Sequence, residues 1–224
     1  MTKISEIALG NMNFILKILE PASDGMLKMK NRKNGGEPGM ASEVWDNILK
    51  QIQTISQPIF STVNPPATED EINLLENTLG VHLPIYFRNY LSVCNGQQER
   101  VPFIGYNSFL SIPAIIETWS MMNDLFEEEE QVDWINEDRI KPLIWSKKWI
   151  PFTDFEGSTH LILDVDPGKN GVSGQIFKYH SGMSYQKVIA NSFEEFSHEI
   201  FKRLQANQIS YSDGVIKFED RYFV

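Results

Sequence analysis

Apolar residues first recur at helical spacing over residues 1–20, where Ile4, Ile7, Leu9, Met12, Ile15 and Leu19 form a stripe. The stretch "PASDGMLKMKNRKNGGEPG" that follows is rich in Gly, Pro and Lys and reads as a flexible connector. A second helix is predicted over about 42–56, with Val44, Ile48, Ile52 and Ile55 on one stripe. In "PPATEDEINLLENTLGVHLP", Thr68 stands three residues before Glu71, a capping box that satisfies two orphan amides at a helix start. Ile72, Leu75 and Leu79 share the face behind it, and Gly80 supplies the stop. Pro84 suits the first turn of another helix, "IYFRNYLSVCNG", expected to end at Asn95-Gly96. Its Phe87, Leu91 and Cys94 share a stripe, so Cys94 reads as core rather than nucleophile.

After Gly96 the period changes. "VPFIGYNSFL" is short, apolar and glycine-punctuated, as strands near a turn are, and Ser111 is placed to cap the helix "IPAIIETWSMMNDLF". Over residues 143–190 the pattern is that of an antiparallel sheet. Leu161, Leu163 and Val165 alternate with His160, Ile162 and Asp164, and "GQIFKY" and "YQKVIA" continue as strands. Ser192 with Glu195 predicts a second capping box, opening a helix striped by Phe193, Phe196, Ile200 and Leu204. Asp213-Gly214 between alternating flanks marks a terminal hairpin. Helices, then strands, then a helix favour an α+β fold over alternating βαβ units.

Charge changes the picture more than overall composition does. The net charge of −10 over 224 residues argues against nucleic acid as the main partner, since phosphate binding needs clustered Lys and Arg. The balance is uneven: residues 1–40 carry six Lys/Arg against four Asp/Glu, so the remainder holds −12. Asp124 through Asp138 include eight acids (124, 127–130, 133, 137 and 138) and no base. Such a run is either a solvated loop or an acidic contact surface for a basic partner. No apolar run approaches the roughly 20 residues of a bilayer span, and the first residues lack a signal-peptide core, which together point to the cytoplasm.

Candidate chemistry centres on "LDVDPGKNGVSGQ". As a calcium loop beginning at Asp166 it has Asn170 at position 5 and Gly171 at 6, but Gly168 at 3 and Phe177 at 12 remove two ligands. As a phosphate loop it fails because Lys169 is followed by Asn170 and then a strand. The glycines therefore read as turn residues, Gly171 and Gly174 allowing positive φ and a close return of the next strand. Trp145 and Trp149 read as aromatics closing a core edge, and Pro151 suits an edge strand. One cysteine and four scattered histidines (His82, His160, His180, His198) supply no zinc pattern, so no metal and no cofactor are expected. There is no GxSxG elbow. If two carboxylates were to do hydrolytic work, they would be Asp154 and Asp164.

Taken in order, "PPATEDEINLLENTLGVHLPIYFRNYLSVCNGQ", "FLSIPAIIETW", "WSKKWIPFTDFEGSTHLILDVDPGKNGVSGQIFKY" and "VIANSFEEFSHEI" resemble the SUKH superfamily over about residues 44–204. That superfamily includes the fungal Smi/Knr cell-wall regulators and many bacterial immunity proteins. The resemblance implies an α+β domain whose mainly antiparallel sheet is backed by helices, with no catalytic residues and a protein-binding role. The expected organisation is an N-terminal helical arm and connector at 1–40, a SUKH-like domain at 41–206 and a hairpin tail at 207–224. The leading expectation is a non-enzymatic immunity protein that occludes a basic toxin domain. Glu127, Glu128, Glu129, Glu130, Asp133, Trp134 and Asp138 are its expected contacts. The alternative is a regulatory scaffold in cell-wall synthesis, and the third reading is a hydrolase using Asp154 and Asp164.

Overall fold

The computed structural model describes residues 40–126, 130–133, 135, 137–180 and 186–219. The helix expected over 1–20 and its connector lie outside the described residues. Helix α1 (Met40–Ile55) turns Val44, Trp45, Ile48 and Ile52 inward, as its stripe requires. Ser56 then caps the single turn α2 (Gln57–Phe60), accepting from the Ile59 amide. Helix α3 (Glu69–Leu79) carries the complete capping box, Thr68 and Glu71 bonding reciprocally, and ends at Gly80 with φ 62°.

Helix α4 (Ile85–Leu91) is shorter than the sequence predicts. Pro84 is its N-cap rather than its first-turn residue, and the Val93 and Cys94 amides both close on the Tyr90 carbonyl, a turn that ends the helix early. Cys94 is nevertheless buried, and burial pushes its thiol up to about 12, far from a nucleophile's range. Asn95 is spent on structure, its Oδ1 accepting from the Ile112 amide at 2.8 Å. Gly96 has φ 59° and a Cβ there would fall 2.3 Å from the Leu110 carbonyl oxygen, so no other residue fits.

Of "VPFIGYNSFL" only β1 (Ser108–Phe109) is a strand. Helix α5 (Ile112–Leu125) follows, with Ser111 at its N-cap position but without the side-chain hydrogen bond that the sequence suggests. Strands β2 (Trp149–Pro151), β4 (Thr159–Asp164), β5 (Gln175–His180) and β6 (Lys187–Ala190) form an antiparallel sheet in the order β2-β4-β5-β6. Pro151 is on an edge strand, where its missing N–H costs no ladder bond. The short β3 (Thr153–Asp154) pairs with β1.

Helix α6 (Phe193–Gln205) starts at Ser192, which accepts from the Glu195 amide. Glu195 reaches back to Asn191 rather than to Ser192, so the reciprocal half of the box is displaced by one residue. The hairpin of β7 (Ile209–Ser212) and β8 (Val215–Phe218) turns through Asp213 (φ 54°) and Gly214 (φ 76°), as two positive-φ residues allow. Its Ile216 is wholly buried in the main core.

Both faces of the sheet are covered. Leu161, Leu163, Ile150 and Ile176 face a large core shared with α1, α3, α4, the first turns of α5, and α6, packed around Trp45, Phe87, Phe152, Phe193 and Phe196. The opposite face presents Ile162, Phe177, Tyr179 and Trp149 to a smaller cluster completed by Met122, Ile140, Leu143 and Trp145. The alternation along β4 thus separates two interiors rather than core from solvent, and all six of its residues are buried. The fold is α+β.

Candidate functional site

The Asp/Gly loop between β4 and β5 is a buried polar knot. The Asp164 carboxylate has no exposure; Oδ1 accepts from the Asp166 amide at 3.0 Å and Oδ2 from Gln175 Nε2 at 2.9 Å. Gln175 Nε2 also donates to the Arg139 carbonyl at 2.8 Å, and its Oε1 accepts from the Val172 amide at 3.1 Å. Burial raises the Asp164 carboxyl to about 6, against the opposing pull of its hydrogen bonds. The glycines are explained by what docks on them. A Cβ on Gly168 would sit 2.6 Å from the Asp138 carbonyl oxygen, and one on Gly171 would sit 2.3 Å from that of Arg139. Gly171 is therefore demanded by close approach and does not use the positive φ expected of it, whereas Gly174 does, at φ 89°.

The second carboxylate belongs to another cluster. Asp154, 5% exposed, lies with Oδ1 3.4 Å from His160 Nδ1 and Oδ2 3.5 Å from Arg100 Nη1. Arg100, about half exposed, also reaches Glu117 Oε2 on α5 at 3.3 Å. His160 Nδ1 donates to the Thr153 carbonyl at 3.0 Å, and burial lowers its basicity despite that bond and the nearby carboxylate. His160 and Asp164 are four residues apart on β4, so Asp154 beside His160 is roughly 13 Å from Asp164 at ~3.3 Å per strand residue. Paired hydrolytic carboxylates work at about 5–9.5 Å, so the structure does not bring this pair together for that chemistry. Among the described residues, no group of three or more His, Cys, Asp or Glu is arranged to hold a metal ion.

What the knot does is fix the acidic segment. The Gly168 amide donates to the Arg139 carbonyl, Asn170 Nδ2 donates to Asp138 Oδ2 at 2.6 Å, and Lys141 pairs with Asp166. At the other end of the segment the Ile144 amide donates to the Glu130 carbonyl and the Val132 amide to the Pro142 carbonyl, about a Gln131–Leu143 bridge. Ile140 and Leu143 are buried in the smaller core, and Phe126 and Ile135 pack against it. Among the described residues of the segment, Phe126 and Ile135 pack inward, and Asp124, Glu130, Asp133 and Asp138 are exposed. Of the expected contact residues, Glu130, Asp133 and Asp138 are exposed, Asp138 being partly consumed by Asn170; Glu127, Glu128, Glu129 and Trp134 lie outside the described residues.

Beside this strip, α5 exposes Met121 (50%) and Leu125 (65%). Sequence periodicity assigns the helix but not the exposure of these two, because its apolar stripe is broad enough to include them. Arg100 escapes sequence reasoning for a different reason. It sits in a loop without periodicity, and its partners are 17 and 54 residues away.

The model of the SMI1 / KNR4 family (SUKH-1) matches residues 66–199. The chain is similar to KNR4/SMI1 homolog 2 of Debaryomyces hansenii, 23% identical, over 76% of this chain and 37% of that protein. It is similar also to the glucan synthesis regulatory protein of Neurospora crassa, 23% identical, over 77% of this chain and 40% of that protein. The match thus spans well under half the length of these curated relatives.

Proposed function

The chain belongs to the SMI1/KNR4 family (SUKH-1), and from that premise we propose that it is a non-enzymatic, protein-binding regulator of cell-wall glucan synthesis. The observation that carries this reading is where the polar residues are spent. Asp164 and Gln175 are buried in mutual and backbone hydrogen bonds and His160 donates to the Thr153 carbonyl, while Glu130, Asp133 and Asp138 are exposed on a backbone pinned at both ends. Such a surface recruits a partner rather than transforms a substrate. Acidic rim charges raise association rates, and adjacent apolar side chains hold the complex.

The name of the Neurospora crassa relative favours the regulatory reading over the toxin-neutralising one that the family resemblance also implies. The test is deletion of the gene in its own host with measurement of wall β-glucan. A change in glucan content, restored by the wild-type gene, is expected. Unchanged glucan, together with rescue of cells from a toxin encoded beside the gene, sinks the regulatory reading and reinstates the immunity one.

A further inference from the structure

We propose that Lys178 on β5 and Lys187 on β6 form a seat for a doubly charged phosphoryl group, a ligand that goes beyond the regulatory reading and does not depend on it. The two residues stand directly opposite each other in the antiparallel register, with Leu161 opposite Lys178 on its other side. Their Cβ atoms are thus roughly 5 Å apart on one face, close enough for both flexible stems to reach a single oxyanion. Phe177 and Tyr179, the neighbours of Lys178 along β5, turn into the smaller interior. Lys178 therefore stands on the other face, beside Leu161 of the larger one.

The other half-buried bases of the chain are treated differently. Lys141 pairs with Asp166, Lys148 Nζ donates to the Gly80 carbonyl at 2.8 Å, and Lys217 Nζ lies 4.9 Å from the centre of the Tyr106 ring. Arg88, Arg139 and Arg203 likewise have Glu76, Asn191 and Glu199. Lys178 is half-buried too, yet among the described residues no hydrogen bond or ion pair holds its ammonium or that of the exposed Lys187. Burial lowers the basicity of Lys178, and no carboxylate acts to raise it. Like charges directly opposite in a sheet destabilise it, and a sheltered ammonium without a counter-charge adds to that cost. In a chain with 30 Asp and Glu against 20 Lys and Arg, two bases gathered without an acid leave their compensation to an anion from outside. A phosphoryl dianion matches both charges and offers an oxygen to each ammonium.

The probe is inorganic phosphate, titrated into the full chain at constant ionic strength while NMR follows the lysine ε-methylene signals. Phosphate is expected to shift the Lys178 and Lys187 signals saturably. It is also expected to raise the pH midpoint of Lys178, because a bound anion favours the charged amine. Lys178→Met is expected to weaken binding about tenfold and Lys187→Met about threefold, while Lys178→Arg keeps the affinity within about twofold. Should Met at 178 disturb the fold, as circular dichroism would show, the exposed Lys187→Met and the Lys178→Arg variant carry the test. A phosphoserine peptide distinguishes the source. Tighter binding than inorganic phosphate assigns the seat to a phosphorylated partner, and equal or weaker binding assigns it to the free anion. The proposal is overturned by the absence of a saturable shift, by an equal response to acetate, or by full affinity in Lys178→Met with Lys187→Met. The glucan measurement is made on cells and does not depend on this titration, so the two readings fail separately.

Discussion

The two interiors on either side of the sheet are built by different means. The larger one is filled by helical stripes, including Ile112 and Ile115 from the start of α5, and its aromatic rings interlock at short range, Phe87 and Phe193 edge-to-face at 4.9 Å and Trp45 against Tyr90 at 4.5 Å. The indole N–H of Trp45 donates to Ser197 Oγ at 2.9 Å, tying α1 to α6. The smaller interior has one helix and one irregular segment for its roof, and it leans on four backbone-to-loop contacts at Gly168, Gly171 and Gln175 to hold that roof down. Helical packing secures the first. Exact approach of backbone to backbone secures the second, and it is the second that carries the acidic surface.

The largest way to break this contrast is Phe193→Ala. Deleting a wholly buried ring at the centre of the larger interior should cost about 3–5 kcal/mol and lower the whole unfolding transition, read by chemical denaturation. The next acts only on the smaller interior, through pH. Asp164 has its carboxyl raised from 3.8 to about 6, so its contribution is fully present below the unfolded value and is lost as pH rises through 6. Asp164→Asn removes this dependence. The stability of wild type relative to that variant should therefore fall by roughly 3 kcal/mol between pH 3.5 and pH 7, at ~1.4 kcal/mol per pKa unit. A flat difference across that range would show that Asp164 titrates as it does in the unfolded chain.

Gly171→Ala should cost about 1–3 kcal/mol, because its Cβ must displace the Arg139 carbonyl. Hydrogen exchange locates that loss: amides of 139–144 should lose protection while those of α6 keep theirs. Equal loss in both would mean that the two interiors unfold as one unit. The smallest effects compare the helix caps on either side of the divide. Ser192→Ala, which removes an acceptor for the Glu195 amide, should cost about 1 kcal/mol, whereas Ser111→Ala, whose side chain caps nothing, should stay within a few tenths by thermal melting.

Legibility followed the same divide. Helical stripes, the Thr68–Glu71 box, the Asp213-Gly214 turn and the alternation of β4 are local patterns, and each was readable because its period or its cap is written within a few residues. The end of α4 was misplaced because a buried Cys94 sits in register with a helical stripe that the backbone has already left. The roles of Asp164 and Gly171 were not readable at all as to cause. The metal and phosphate patterns exclude them as ligands, but Gly171 is shaped by the Arg139 carbonyl, and Gln175, which bonds Asp164, donates to that same carbonyl from more than thirty residues away in the chain.

The order of residues alone determined the α+β class and the negative charge of the 124–138 stretch, since these depend on composition and short-range period, and its ordered motifs carried the resemblance to the family that matches residues 66–199. Only the tertiary structure decided that the polar face of β4 is buried, that Asp154 and Asp164 are held apart, and that Met121 and Leu125 stand exposed. The physical reason is that burial is a property of what lands opposite a residue. A strand's alternation says which residues share a face, but whether that face meets water depends on a segment that must first fold back across it.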